Sequence, residues 1–359
     1  MFYVRTGAER LAADPGLVKG GRLGLITNQT GVLRDLTPTP AALENLTALF
    51  SPEHGIRGTV QDGASEGSGE SFGLPVHDTY LKEGAELDEL VAASGVDTLL
   101  FDLFDVGARF YTYVWTMKDM MESAKRLGLR FVVLDRPNPI GGTVAEGPLL
   151  DPAFASFVGG APIPNRHGLT VGELARSLDP GVEVIRAEGW RRDLPFAATG
   201  LPWVMPSVNM PTLDTALVYP GTGLFEGTNL SEGRGTTRPF ELVGAPYLDD
   251  RFAPSLNALD LPGVRFRDLW FMPMFGKHAG TAVRGVQLHV TDARTFRPVL
   301  TAVSMMHLAR TRHPEEFATT PFLDKLWGSD TLTRCLAAGG DPRELCPEPA
   351  TPEGGLLYA

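Results

Sequence analysis

Between Arg22 and Ala187, short runs that are apolar throughout alternate with stretches of helical period, and nothing else in this chain so restricts what it can fold into. Arg22–Asn28, Leu46–Phe50, Val96–Asp105, Arg130–Asp135 and Val182–Ala187 read as strands; Pro40–Leu46, Glu86–Ala93, Tyr113–Leu127 and Val171–Leu178 read as helices. Unbroken apolar runs belong to strands covered on both faces. Their alternation with helices predicts an α/β fold, a Rossmann-like, doubly wound, mostly parallel sheet. Near residue 200 the texture changes: residues 200–247 are dense in Gly, Pro and Thr, and beyond them lie candidate strands at Arg265–Phe271 and Val283–Val290 and helices at Arg297–Arg310 and Pro321–Leu326. With 359 residues, two domains are expected, a Rossmann-like one over 1–205 and a smaller α+β one over 206–359.

The net charge of −11 leaves no basic surplus to displace counterions, so nucleic acid is not an expected partner. No run of eighteen apolar residues marks a membrane span. The opening Met-Phe-Tyr-Val-Arg-Thr-Gly carries no export signal, which makes the cytoplasm the expected compartment as written, with the cell envelope the alternative if a leader is removed. Cys335 and Cys346 fit no Cys-x-x-Cys metal site and read as structural or incidental.

In sheets of this kind ligands bind beyond the carboxyl ends of the strands, and that is where this chain keeps its polar residues. Asn28 follows the first strand. Phe50-Ser-Pro-Glu-His-Gly-Ile-Arg-Gly58 follows the second and sets Glu53, His54 and Arg57 within five positions, a combination suited to acid–base chemistry. Asp102 and Asp105 close the third, with Arg109, Tyr111 and Tyr113 next; Asp135, Arg136 and Asn138 close the fourth. Thr170 and Glu173 match a capping box, which leaves Arg166 and His167 in the preceding loop free to face a ligand. A second cluster, Glu226 to Glu241, holds Asn229, Glu232, Arg234 and Arg238 among glycines that permit tight turns; Arg234 or Arg238 could fork a substrate carboxylate. No dinucleotide fingerprint, Walker sequence, His-x-x-x-His or Gly-x-Ser-x-Gly occurs, so no cofactor and no resident metal are expected.

GLITNQTGV, FSPEHGIRG, FDLFDVGARFYTY, VLDRPNPIGG, RHGLTVGELA, TGLPWVMPSVNMPT (which contains Asn209) and YPGTGLFEGTNLSEGRGTTRPFE together resemble the DUF1343 proteins, also called NamZ-type exo-β-N-acetylmuramidases. The resemblance runs in order along nearly the whole chain. It implies a glycoside hydrolase that removes terminal N-acetylmuramic acid from the non-reducing end of peptidoglycan fragments, in a cleft closed by the smaller domain. It makes Glu53, in the Pro-Glu-His-Gly motif, the general acid. His54 would orient it or touch the sugar, and Arg57, Arg166, Arg234 and Arg238 are candidates for the lactyl carboxylate, Arg234 first. Asp102, Asp105, Glu226 and Glu232 stay open as the second catalytic group, as does the substrate's own N-acetyl group. A non-catalytic amino-sugar-binding protein and a metal-dependent hydrolase are the alternatives.

Overall fold

Seven strands build the central sheet of the computed structural model, which describes residues 3–19 and 21–359. The strands along the chain are β1 (Leu23–Thr27), β2 (Leu46–Ser51), β3 (Gly69–Ser71), β4 (Leu74–Asp78), β5 (Thr98–Asp102), β6 (Arg130–Leu134), β7 (Glu146–Leu149), β8 (Pro164–Arg166) and β9 (Glu183–Ile185). Across the sheet they lie β3-β4-β2-β1-β5-β6-β9, and every neighbouring pair is parallel except β3 with β4. Strands β7 and β8 pair separately. Because the chain runs from β1 to β2 on one side and later to β5 on the other, the winding reverses at β1, and a crevice opens beyond its carboxyl end. The β3–β4 hairpin has no apolar run to announce it, since β3 is polar and largely exposed.

The unbroken apolar strands serve two cores through the two-residue period of their side chains. Leu23, Leu25, Leu49, Leu100, Val132 and Leu134 face one side, covered by Ala8 and Leu11 of the helix Gly7–Ala13. Ile26, Ala48, Phe50, Leu99, Phe101, Phe131 and Val133 face the other, beneath the helices Gly84–Ser94, Tyr113–Leu127 and Val171–Leu178. This second core continues without a break into the C-terminal half, reaching Val243, Phe252, Val286, Met305 and Trp327. There β10 (Leu242–Ala245), β11 (Val264–Phe271) and β12 (Val283–Val290) form an antiparallel sheet in the order β10-β12-β11, backed by the helices Phe252–Ala258 and Leu213–Thr222, on which the helix Pro298–Arg312 packs in turn. Both sheet classes thus match the expected α/β fold with a smaller second part.

Two polar strand ends from the sequence reading belong to this framework and not to a ligand site. Asp102 takes a two-pronged ion pair from Arg136, at 2.5 and 2.9 Å, and accepts the Thr39 hydroxyl at 2.6 Å, all of it buried. Arg109, expected to bind substrate, is fully buried and donates to four backbone carbonyls: Pro148 and Ile163 at 2.9 and 2.8 Å, Leu326 and Trp327 at 2.9 and 2.7 Å. The last two are the orphan carbonyls that end the helix Phe322–Trp327, where a cation also meets the negative end of the helix dipole. Burial pushes the Arg109 pKa down to about 9, which still leaves it charged at neutral pH. Gly328 closes that helix at φ 92°, and a Cβ there would sit 2.7 Å from the Arg109 Nη2.

The C-terminal tail returns to the first sheet. Ala350 bridges Ala145, the amides of Leu357 and Tyr358 donate to Glu173, and the Tyr358 hydroxyl donates to Asp135 at 2.6 Å. Asp135 also accepts from Thr170 and from the amides of Arg136 and Gly172. Thr170 and Glu173 form the capping box that their spacing predicts.

Arg109→Met strands four buried carbonyls, at roughly 1–3 kcal/mol each. A loss of about 4 kcal/mol or more in urea unfolding is expected, partly recovered in Arg109→Lys. Asp135 gives a pH signature. Burial raises its folded pKa to about 6, against about 3.9 unfolded. The folded state therefore holds this proton more tightly, and stability falls as pH rises from about 4 to 6, by at most about 3 kcal/mol. The difference in urea midpoint between the natural chain and Asp135→Asn should carry that slope; a difference flat across the window contradicts it.

Candidate active site

Beyond the crevice at β1 lies a cavity of about 330 Å³ lined by Glu53, His54, Asp62 and Gly63 after β2, by Phe110, Tyr111 and Thr112 after β5, and by residues of the C-terminal half. Strand β2 ends at Ser51; Pro52 breaks it, and a turn follows in which the Gly55 amide donates to the Pro52 carbonyl. His54 and Gly55 both take left-handed backbone angles, φ 69° and 77°, so the chain reverses sharply and presents Glu53 and His54 side by side. His54 is not a glycine, and its ring is fastened: Nδ1 lies 2.9 Å from the Val60 carbonyl. A carbonyl only accepts, so Nδ1 carries the proton, and in the neutral ring Nε2 remains as an acceptor.

Glu53 is 5% exposed, and both of its oxygens are held. Oε1 accepts the Gly63 amide at 2.6 Å, and Oε2 accepts the Thr112 hydroxyl at 2.5 Å. Thr112 stands at the N-terminus of the helix Tyr113–Leu127, whose position the core fixes through Val114, Met117 and Met120. The carboxyl group is thus gripped from one side by a rigid helix start and from the other by the loop of residues 59–68.

Opposite Glu53 stands a compact charge cluster. Arg234 donates through Nε and Nη2 to Glu226 Oε1, at 2.9 Å for Nε, and through Nη1 to Asp62 at 3.0 Å. Glu232 lies 3.7 Å from its Nε, and its guanidinium sits 5.0 Å above the Phe240 ring. Lys277, from the loop between β11 and β12, spends its ammonium group on Glu232 at 2.9 Å and on the carbonyls of Phe225 and Leu230. Burial raises the Glu226 pKa, opposed by the adjoining Arg234. Between the two poles the wall is aromatic, with Tyr111, Tyr219, Phe110 and Phe240 meeting edge to face at ring separations of 4.7–6.0 Å. Phe157 stacks on Phe322 along the same cavity.

Of the residues singled out in the sequence, the fold therefore brings Glu53, His54, Tyr111, Asn209, Glu226, Glu232 and Arg234 to one cavity. The others lie off its wall. Asp105, a candidate second catalytic carboxylate, is buried, accepts the Gly107 amide at 2.7 Å and faces His167 Nε2 at 3.1 Å. His167 has no ligand-facing edge, its Nδ1 accepting the Leu169 amide, and Arg166 is buried against the Ile140 carbonyl. Asn28 folds over the turn after β1, accepting the amide and hydroxyl of Thr30. Arg57 points outward beside Glu66 at 3.6 Å, and Arg238 pairs with Glu241 at 3.0 Å. Asn229 ties Tyr247 to the backbone at Glu316 and Ala318.

Asp62, Thr112, Tyr219 and Lys277 escaped the sequence reading. Asp62 had a usable signal, an Asp-Gly pair in a polar loop just past the Pro-Glu-His-Gly motif. Tyr219 lies on a buried helix, Leu213–Thr222, whose internal Pro220 hides its period. For Thr112 and Lys277 the sequence carries no signal. Among the described residues no group of three or more His, Cys, Asp or Glu is arranged to hold a metal.

Comparison with known proteins agrees with this architecture. Residues 23–214 match the family model for the N-terminal part of the exo-β-N-acetylmuramidase NamZ, and residues 217–349 match the model for its C-terminal part. The peptidoglycan β-N-acetylmuramidase NamZ of Bacillus subtilis (strain 168) is 49% identical over 353 residues, 94% of this chain and 85% of that protein. Two crystal structures of DUF1343 proteins from Bacteroides fragilis superpose with TM-scores of 0.87 and 0.73, at 32% and 28% identity, covering 96% and 95% of this chain and 95% and 93% of theirs. The chain belongs to the exo-β-N-acetylmuramidase NamZ family.

Proposed function

We propose that this protein is an exo-acting glycoside hydrolase that releases terminal N-acetylmuramic acid from the non-reducing end of peptidoglycan fragments, working in the cleft between a domain of residues 1–205 and a smaller one of residues 206–359. The observation that carries the reading is the pairing, across one small cavity, of a buried carboxyl group held by Thr112 and Gly63 with a guanidinium set on Phe240. Glycoside cleavage needs a carboxylic acid at the leaving oxygen and relief for the positive charge that grows at C1 and the ring oxygen. Glu53 supplies the proton to the glycosidic oxygen as the C1–O bond breaks. Arg234 faces the lactyl carboxylate that distinguishes N-acetylmuramic acid from N-acetylglucosamine. The aromatic wall packs against the apolar face of the sugar.

Glu226 and Glu232 are each bound to a cation, which favours the substrate's acetamido oxygen as the group that attacks C1. The resulting ring would be opened by water, whose proton returns to the Glu53 carboxylate, leaving the anomeric configuration retained. A similarity to a protein named as a peptidoglycan β-N-acetylmuramidase supports the same substrate class.

The test is release of N-acetylmuramic acid from a disaccharide carrying it at the non-reducing end, beside the N-acetylglucosamine-terminated counterpart. The natural chain should cleave the first in preference. Glu53→Gln should lower kcat by about 10²–10⁴ with an unchanged melting temperature. Near-normal turnover in that variant removes Glu53 from the acid role, and binding without any product release by the natural chain removes the hydrolase reading.

A further inference from the structure

The cavity holds two cations, and both are already occupied. Lys277 has three N–H groups and three acceptors. Arg234 is fixed by Glu226 through Nε and Nη2 and keeps Nη1 for Asp62. The partners differ in kind. The side chains of Glu226 and Glu232 are 18% and 4% exposed and come from the same segment as Arg234, whereas that of Asp62 is 55% exposed and reaches across from the loop after β2. An ion pair to so exposed a carboxylate is worth about 0–1 kcal/mol, so another carboxylate can replace it cheaply.

The loop that carries Asp62 also carries the grip on Glu53. The Gly63 amide is the donor to Glu53 Oε1, Val60 holds the His54 ring, Gln61 accepts from Asn209, and Ala64 accepts the His54 amide. Asp62 and Gly63 are consecutive, so a shift of the backbone that carries the carboxylate on Arg234 also shifts the donor on Glu53.

We propose that Asp62 is a built-in stand-in for the substrate carboxylate, and that its displacement from Arg234 draws the Gly63 amide away from Glu53. The inference rests on the reading above. Asp62 and Gly63 are positioning residues under it. With a donor on each Glu53 oxygen, one lone pair of each is taken, and losing the Gly63 bond opens a second site on Oε1 for the proton that goes to the glycosidic bond. A sugar bearing a carboxylate takes the Arg234 Nη1, pushes Asp62 out, and frees Oε1. A sugar without one leaves the loop in place. The carboxylate then selects the substrate twice, once in binding and once by releasing the acid, and an N-acetylglucosamine-terminated fragment fails on both counts.

Hydrogen–deuterium exchange of the natural chain, read on peptides spanning residues 59–68, tests this without any turnover. Saturating N-acetylmuramic acid should raise exchange at the Gly63 amide, and N-acetylglucosamine should not. Protection or no change with N-acetylmuramic acid, or the same increase with both sugars, overturns the proposal. A second arm uses Asp62→Ala and the closer mimic Asp62→Asn. Both should bind N-acetylmuramic acid more tightly, by up to about fivefold, with binding of N-acetylglucosamine unchanged. Weaker binding of both sugars would make Asp62 merely structural. In kinetics, a lower KM for the muramic substrate is expected. If neither disaccharide is cleaved by the natural chain while exchange responds to the carboxylate, the hydrolase reading fails and the displacement stands; the reverse outcome sinks the displacement alone.

Discussion

A single buried cation, Arg109, fixes the geometry on which the cavity depends. It sits between Ala108 and the run Phe110–Tyr111–Thr112, and its guanidinium must find acceptors because a buried charge without them is untenable. It finds the ends of β7 and β8 on one side and the C-terminal carbonyls of the helix Phe322–Trp327 on the other. The first two lie in the N-terminal half and the last two in the C-terminal half. One side chain therefore sets the position of the segment after β5 against the part of the chain that supplies Tyr219, Glu226 and Arg234. Phe110, Tyr111 and Thr112 follow it directly, so the donor to Glu53 inherits that rigidity.

The electrostatics of the cavity rest on unequal grips. Glu226, Glu232, Arg234 and Lys277 form a network packed on Phe240 and linked to the loop after β2 through Asp62, in which each cation has a carboxylate within hydrogen-bond reach. Glu53 is different: both its partners are neutral donors, one on a rigid helix start and one on a polar loop. A cluster of paired charges can orient a ligand, whereas a carboxyl group held by neutral donors is not tied into an ion pair. That division is what acid catalysis beside an anionic substrate group requires.

Much of the framework was legible in the chain. The apolar runs of β1, β2, β5 and β6 gave their strands because, in a sheet covered on both faces, burial demands apolar residues at every position. The long helix Tyr113–Leu127 and the helix Val171–Leu178 appeared at their true bounds, the second with its capping box. The β3–β4 hairpin and the helix Leu213–Thr222 did not appear, one for want of apolar residues and the other because Pro220 interrupts its period. Arg109, Arg166 and His167 misled for a shared reason: a polar residue beyond a strand or in a loop looks the same in sequence whether it faces solvent, a ligand or a ring of carbonyls.

By itself the sequence determined the α/β class, the direction in which the strands point their polar ends, and the Pro-Glu-His-Gly turn that carries Glu53, because periodicity and turn chemistry are local. Tertiary structure alone decided which of those polar ends share a cavity. Hydrogen-bond partners lie far apart in the chain: Glu53 meets Thr112 across fifty-nine positions and Arg234 meets Asp62 across 172. Asp102 and Arg109 were turned inward by partners equally remote, Arg136 for the one and Trp327 for the other. Burial converts each such group into framework or chemistry according to whether its partners satisfy it completely, and that is a property of the packed chain.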